Sequence, residues 1–512
     1  MRAAFPGTAI VWVLALVGQI ASAEVTQISI SLPDAQVSQD GRLFVVFSRE
    51  NRTEPRFFIG EEPAPRFASP FFAVELENWD GTEVEFEPDN GFPLQEPSDL
   101  ETGRWYVQAL FDVNDVLSDL NAPGNVYSKS QAIEIGIGEQ ILHLALTESI
   151  PDESLPEDTE LLKFVRIRSE LLSQFYQRDI FLRASVLLPA GYSEQSNRRY
   201  PVLFNVAGLN GRFTRSLRLL EDEEFLAYWQ DEQTRPAVIV FLDGESPFGD
   251  SYQVNSAVSG PYADANFSEL FPYLAASFPI DDRPASRFVS GCSTGGWVSM
   301  ALQILYPDYF NGAYSLSPDS PSFKAFQLVN LYQDENAYFS PTGMVRPSAR
   351  ETNGDPIFSI VDEIRMEAAV GRNGSFVNSG QQWGSWNAVY GQPDAEGNPI
   401  PVWDQETGVV NAAVVDAWQP WDLELYVREN WSSIGADLTG KLHFWMGDMD
   451  DYYLTNGLRF LEETLNVMEA PAADAQFTWV PYHGHCNFGT QIHYIDVLED
   501  LTLKSADSLR RL

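Results

Sequence analysis

The sequence predicts an α/β domain on a mostly parallel sheet, preceded by a small all-β sandwich. Three observations predict it. From about residue 161, short apolar runs alternate with amphipathic stretches, as strands do when helices cover both sheet faces. Residues 24–145 instead carry short alternating runs separated by turn residues, the pattern of antiparallel strands. Between Arg287 and Met300 the chain reads as a buried strand, a glycine-bounded turn and a helix.

The chain has 512 residues, enough for two or three domains. Its start reads as a secretory signal peptide over 1–23. Arg2 gives a positive start, Ile10 to Val17 an apolar stretch too short to span a bilayer comfortably, and Ala21-Ser22-Ala23 a small-residue cleavage site. No later segment is long and apolar enough to cross a membrane, so a secreted protein, extracellular or periplasmic, is expected. With 32 basic and 73 acidic residues the net charge is −41. That sign disfavours nucleic acid and anionic membranes as partners.

In the first region, Thr26 to Ile30, Leu43 to Phe47, Phe72 to Leu76, Val84 to Phe86 and Trp105 to Leu110 are the expected strands. No cluster of ionisable groups there suggests chemistry. Residues 146–160 form an acidic, proline-punctuated linker, which like charges keep solvated and extended.

The α/β domain is expected over 161–512. Phe164 to Ser169 and Ile180 to Leu188 read as paired strands. Pro201 to Val206 is a short apolar strand ending in Ala207-Gly208-Leu209, and Ala237 to Leu242 is wholly apolar. Gly312 to Leu316, Lys441 to Met446 and Phe477 to Pro481 complete the sheet, with helices over 217–229 and 267–278. About 318–435 is too long for a plain crossover and reads as an inserted cap. Its tryptophans either line a pocket or, as aromatics more often do, form the cap's own core.

Gly291-Cys292-Ser293-Thr294-Gly295 fits G-x-S-x-G in the setting that gives the motif meaning, a strand, a tight turn and a helix stopped at Tyr306-Pro307. Ser293 is therefore the candidate nucleophile. A serine hydroxyl needs a base within hydrogen-bond reach, an acid to orient that base, and donors for an oxyanion. His483 and His485 sit in the loop after the last strand. His485 is favoured because Gly484 lets the chain approach closely. The acid should follow the strand 441–446, where Asp448, Asp450 and Asp451 compete and the G-x-x-D spacing from Gly447 favours Asp450. The oxyanion donors are expected on the backbone of Thr294 and Leu209. The aspartates lack a calcium-loop register, and neither a metal nor another cofactor is implied. Cys292 precedes the serine and Cys486 follows His485, so convergence of those two residues would let the only two cysteines pair.

The segments Tyr200 to Phe204, Glu269 to Tyr273 and Phe288 to Gly296 resemble the esterase D-like and enterochelin-esterase-like branch of the α/β-hydrolase superfamily. The resemblance covers about 161–317 and 436–512, and a β-sandwich ahead of the hydrolase domain is similar to enterochelin-type esterases. The grouping Cys292-Ser293, Asp450 and His485-Cys486 is similar to that of tannases and fungal-type feruloyl esterases, which carry a large lid between serine and acid. Two positions depart. Ala207-Gly208 stands where that branch has His-Gly, and Trp297 where tannase-like elbows have Arg.

The residues and the resemblance together imply a serine esterase acting through an acyl-enzyme on a small-molecule or carbohydrate ester. An acyltransferase or peptidase would use the same residues. A non-catalytic binding protein on this scaffold is the remaining alternative. The sequence leaves the oligomeric state open.

Overall fold

The computed structural model describes residues 27–511, apart from 34–36, 61–67, 137–140, 194–196, 232 and 489–491. The expected signal peptide, 1–23, lies outside the described residues. Among the described residues no helix is long and apolar enough to cross a membrane.

The N-terminal region holds β1 (Gln27–Ser31), β2 (Gln39–Ser48), β3 (Phe71–Trp79), β4 (Val84–Glu85), β5 (Asn90–Phe92), β6 (Gly103–Asp112), β7 (Val126–Ser128), β8 (Gln131–Ile135) and β9 (Ile141–Ser149). They form one sheet in the order β4-β1-β9-β7-β6-β2-β3-β5, with β8 beside β6. Every pairing is antiparallel except β1 with β9. The period-2 alternation sends Ile30 and Leu144 from one end of the sheet into the same apolar cluster as Val45, Phe47 and Phe111 from the other, so the sheet folds across its own core.

Strand β9 runs on to Ser149, and the extended connection begins after it. That connection is not simply solvated. Glu153 pairs with Arg183 at 3.0 Å and Arg212 at 2.8 Å, which overrides its acidic neighbours and fixes the segment to the next domain.

The α/β domain is an eight-stranded sheet of β10 (Leu162–Ser169), β11 (Ile180–Leu187), β12 (Val202–Val206), β13 (Val238–Leu242), β14 (Arg287–Cys292), β15 (Ala313–Leu316), β16 (Leu442–Gly447) and β17 (Gln476–Val480). The order is β10-β11-β13-β12-β14-β15-β16-β17. The first two pairings are antiparallel and the rest parallel. Strand β13, Val-Ile-Val-Phe-Leu, is buried along its whole length, as a strand covered on both faces must be. The loops leaving the carboxyl ends of β12, β14, β15, β16 and β17 gather at one edge, where ligands bind in such sheets.

The insertion between β15 and β16 contains a hairpin (Pro347–Arg350 with Pro356–Ser359) and helices Ile360–Val370, Gln382–Tyr390 and Leu423–Leu438. Trp383, Trp386, Trp403 and Trp418 are fully buried in it, packed edge-on or tilted against one another and against Phe323, Phe326 and Tyr390. They are the cap's core, and Trp386 alone of these four also borders the cavity described below.

Helix Ile360–Val370 joins the two domains. A reciprocal capping box between Ser359 and Asp362 starts it, satisfying donors that a helix end leaves open. Met366, Ala369 and Val370 then pack on Phe44, Val46 and Phe71 of the N-terminal sheet. Buried Arg42 of β2 donates to the Ala369 carbonyl at 3.1 Å while pairing with Glu75 and Asp89, so its charge is compensated where it is desolvated.

Candidate active site

Ser293 stands between β14 and the helix Thr294–Leu305 with φ 61° and ψ −126°. A non-glycine residue there is strained, and the surrounding chain has to impose it. The glycines of the motif make that possible. A β-carbon on Gly295 would lie 2.2 Å from the Val206 carbonyl oxygen, and one on Gly291 would lie 2.5 Å from the same atom. Only glycine lets the end of β12 pass this close to the turn. The helix that follows presents its N-terminus, the positive end of its dipole, beside the serine.

The loop after β16 sorts its three aspartates. Asp450 is fully buried, and its Oδ2 accepts from Nδ1 of His485 at 2.7 Å. Its Oδ1 accepts from the backbone N–H groups of Tyr452 at 3.1 Å and Leu454 at 3.2 Å, which fix the carboxylate plane. Asp451 takes the backbone N–H of His485 at 3.2 Å, and Asp448 takes that of Tyr482 at 2.6 Å. Asp450 therefore faces the ring, while its neighbours hold the loop.

The histidine loop is sorted equally clearly. His483 is half-buried and its ring bonds back to the Pro481 carbonyl at 2.8 Å. His485 points inward with its side chain 12% exposed. A β-carbon on Gly484 would lie 2.5 Å from Asp451 Oδ1, so a side chain there would push that carboxylate off the His485 N–H.

Cys292 and Cys486 are disulfide-bonded, with Cα atoms 6.1 Å apart and 194 positions of chain between them. The bond ties the residue before Ser293 to the residue after His485. The backbone of Cys486 also donates to Ser317 Oγ at 3.1 Å, holding the histidine loop to the end of β15.

Ser293, His485, Gly208 and Leu209 line one cavity of about 590 Å³. Gly208 lies against the serine: a β-carbon there would sit 3.3 Å from that of Ser293. Thr294 is buried directly behind, as the first residue of the helix. Burial opposes the charged form of His485, yet the facing Asp450 carboxylate, with Asp319 and Asp451 further off, holds its pKa above the ordinary imidazole value.

Sequence reasoning missed two parts of this cavity. The first is Asp319, two residues beyond Ser317, whose carboxyl lies deep beside the elbow and lines the cavity. Its place after β15, at the carboxyl edge of the sheet, was the one available signal. The second is the N-terminal domain. Ile59, Gly60 and the loop Ser118–Asn121 form one wall. Glu245 grips that loop, accepting from Ser118 N–H at 2.8 Å, Ser118 Oγ at 2.9 Å and Asp119 N–H at 3.0 Å. Nothing local in 118–121 could announce a contact with a carboxylate more than a hundred residues away.

The lining holds Asp119, Glu245, Asp319, Glu363 and Glu367, and neither Lys nor Arg among the described residues. Burial pushes Glu367 up to about 8, with the charge of Glu363 adding to it, and pushes Glu245 up to about 7. No group of three or more His, Cys, Asp or Glu among the described residues is placed to hold a metal ion.

Residues 177–422 match the model of a family described as "Putative esterase". Among solved structures, the chain is similar to a ferulic acid esterase (14% identity, 67% of this chain and 99% of that one, TM-score 0.42). It is also similar to an S-formylglutathione hydrolase from Agrobacterium tumefaciens (14%, 69% and 98%, TM-score 0.38) and to the fluorophosphonate-binding serine hydrolase FphF of Staphylococcus aureus (14%, 67% and 99%, TM-score 0.37). No curated protein matches.

Proposed function

We propose that this chain, a carboxylic-ester hydrolase of the esterase branch of the α/β-hydrolase superfamily, works through Ser293, His485 and Asp450 and forms an acyl-enzyme. The observation that carries the reading is the 2.7 Å bond from His485 to buried Asp450, on a loop stapled by Cys292–Cys486 to the residue beside Ser293. Each member answers one chemical need.

Ser293 Oγ attacks the ester carbonyl while His485 Nε2 takes its proton. Asp450 binds the Nδ1–H, which fixes the tautomer and stabilises the imidazolium. The carbonyl oxygen becomes an oxyanion and is met by the N–H groups of Thr294 and Leu209, the first of them at a helix N-terminus. His485 returns the proton to the leaving alcohol. Water, deprotonated by the same imidazole, then attacks the acyl-enzyme and releases the acid.

The lining favours a neutral, hydroxyl-bearing substrate. Its carboxyl groups offer acceptors to hydroxyls, and although burial keeps Glu367 and Glu245 substantially uncharged near neutral pH, Asp119 and the net charge of −41 disfavour anions. Acylated sugars and hydroxylated aromatic esters fit that description. A site outside the cytoplasm is part of the proposal, supported by the signal-peptide pattern at 1–23 and by a disulfide at the site.

The test uses p-nitrophenyl acetate, feruloyl and acetyl-sugar esters, with an ester bearing a second carboxylate as the anionic control. The proposal expects turnover lost in Ser293→Ala and His485→Ala, and a much lower kcat/KM for the anionic ester. Hydrolysis persisting in Ser293→Ala would overturn it.

A further inference from the structure

We propose that Asp319 is a positioning residue for the Ser293–His485 pair, a second carboxylate that fixes the elbow and shares the charge of the imidazolium. This rests on His485 being the base.

Three elements converge on its side chain. Oδ2 accepts from Tyr252 OH at 2.5 Å, Trp386 Nε1 at 3.1 Å, Thr294 Oγ1 at 3.4 Å and Gln382 Nε2 at 3.5 Å. Tyr252 follows β13, Trp386 and Gln382 belong to a cap helix, and Thr294 opens the elbow helix. Its backbone N–H donates to the Ser293 carbonyl at 3.4 Å. Asp319 therefore holds the Ser293 peptide through its backbone, and through its carboxyl the residue whose N–H would face the oxyanion.

Such a group is costly to bury, so its presence asks for a reason. It is 1% exposed, with no Lys or Arg among its bonded partners. Burial raises its pKa. The Tyr252 hydrogen bond, the nearby His485 and the Trp386 and Thr294 bonds act against that. Two of the four donors, the indole N–H and the amide N–H, can only donate, which suits an ionised carboxylate.

When His485 takes the serine proton, its positive charge forms with Asp450 bonded to the ring, Asp451 on its backbone and Asp319 across the cavity. The ring of Tyr452 stands edge-on to the imidazole at 5.0 Å. Around Asp319 itself lie Tyr252, Tyr390 and Asp250. Asp450 orients the base, and Asp319 adds field without touching the ring.

The experiment is the pH profile of kcat/KM for p-nitrophenyl acetate in wild type, Asp319→Asn, Asp319→Glu and His485→Ala. A carboxylate near an imidazole favours its cation, so removing the charge lowers the pKa of the base. The acid limb of Asp319→Asn should move to lower pH by about half a unit or more, with the plateau down about ten-fold. Asp319→Glu should restore the limb. A purely structural role would lower the plateau and leave the limb in place, and that result overturns the inference. Should Asp319→Asn fail to fold, Asp319→Ser is read in the same way. A fully active His485→Ala would overturn the base assignment itself. An inactive His485→Ala beside an unmoved limb would overturn only the role of Asp319.

Discussion

Asp450 and His485, thirty-five positions apart, meet through one 2.7 Å bond between a fully buried carboxylate and a ring that is almost as deeply enclosed. Neighbouring Asp451 reaches only the backbone of the same histidine, at 3.2 Å. That difference separates the two carboxylates by experiment. Asp450→Asn should lower kcat by about 10³–10⁴-fold, because an amide leaves the wrong imidazole tautomer in place. Asp451→Asn still accepts the backbone N–H, and steady-state kinetics should show a loss of less than about ten-fold.

The disulfide closes 194 positions of chain. In the chain-entropy model, a loop that long contributes about 5 kcal/mol to stability. Cys292→Ser with Cys486→Ser should lower the denaturant midpoint accordingly. It should also lower kcat/KM, since the staple sets the distance between the loops of Ser293 and His485.

Gly295 leaves no room for a side chain beside the Val206 carbonyl. Gly295→Ala should destabilise the fold by about 1–3 kcal/mol in urea unfolding, the usual range for overpacking. Activity should fall further than stability does, because the relief would come from moving Ser293.

Burial raises Glu367 to about 8 and Glu245 to about 7, from an ordinary value of 4.5. At these two groups the folded chain therefore binds more protons than the unfolded chain between about pH 4.5 and 8. Stability from these groups is complete below that window and is lost as pH rises through it. Thermal melting should occur at higher temperature at pH 5.5 than at pH 8.5. Glu367→Gln should flatten that slope.

The N-terminal wall depends on Glu245 holding Ser118 and Asp119. Glu245→Ala should loosen the wall without touching Ser293. KM for a bulky feruloyl ester should rise roughly five- to ten-fold with kcat little changed, the signature of lost uniform binding. The small p-nitrophenyl acetate should be less affected.

The sequence made legible what short-range pattern encodes. The elbow shows because strand, glycines and helix are contiguous, and the loops of Asp450 and His485 show because each directly follows an apolar strand. The cysteines were readable as a pair because each is adjacent to a candidate site residue. Asp319 left no such mark, since Ser317-Pro318-Asp319 looks like any turn and gains its meaning from Tyr252 and Trp386, far off in sequence. The cavity wall from the N-terminal domain was hidden for the same reason. It depends on how Phe44, Val46 and Phe71 seat on Met366, Ala369 and Val370, a tertiary contact with no local period. The acidic linker also read as free because Glu153's arginine partners lie in another element.

The central claim is that Ser293 is the nucleophile, activated by His485. The most direct measurement is peptide mapping by mass spectrometry after treatment with a fluorophosphonate. The account predicts one adduct, on the peptide containing Ser293, absent in Ser293→Ala and slowed at least a hundred-fold, on the order of a lost general base, in His485→Ala. A folded wild-type protein left unlabelled, or labelled at another residue, would contradict it.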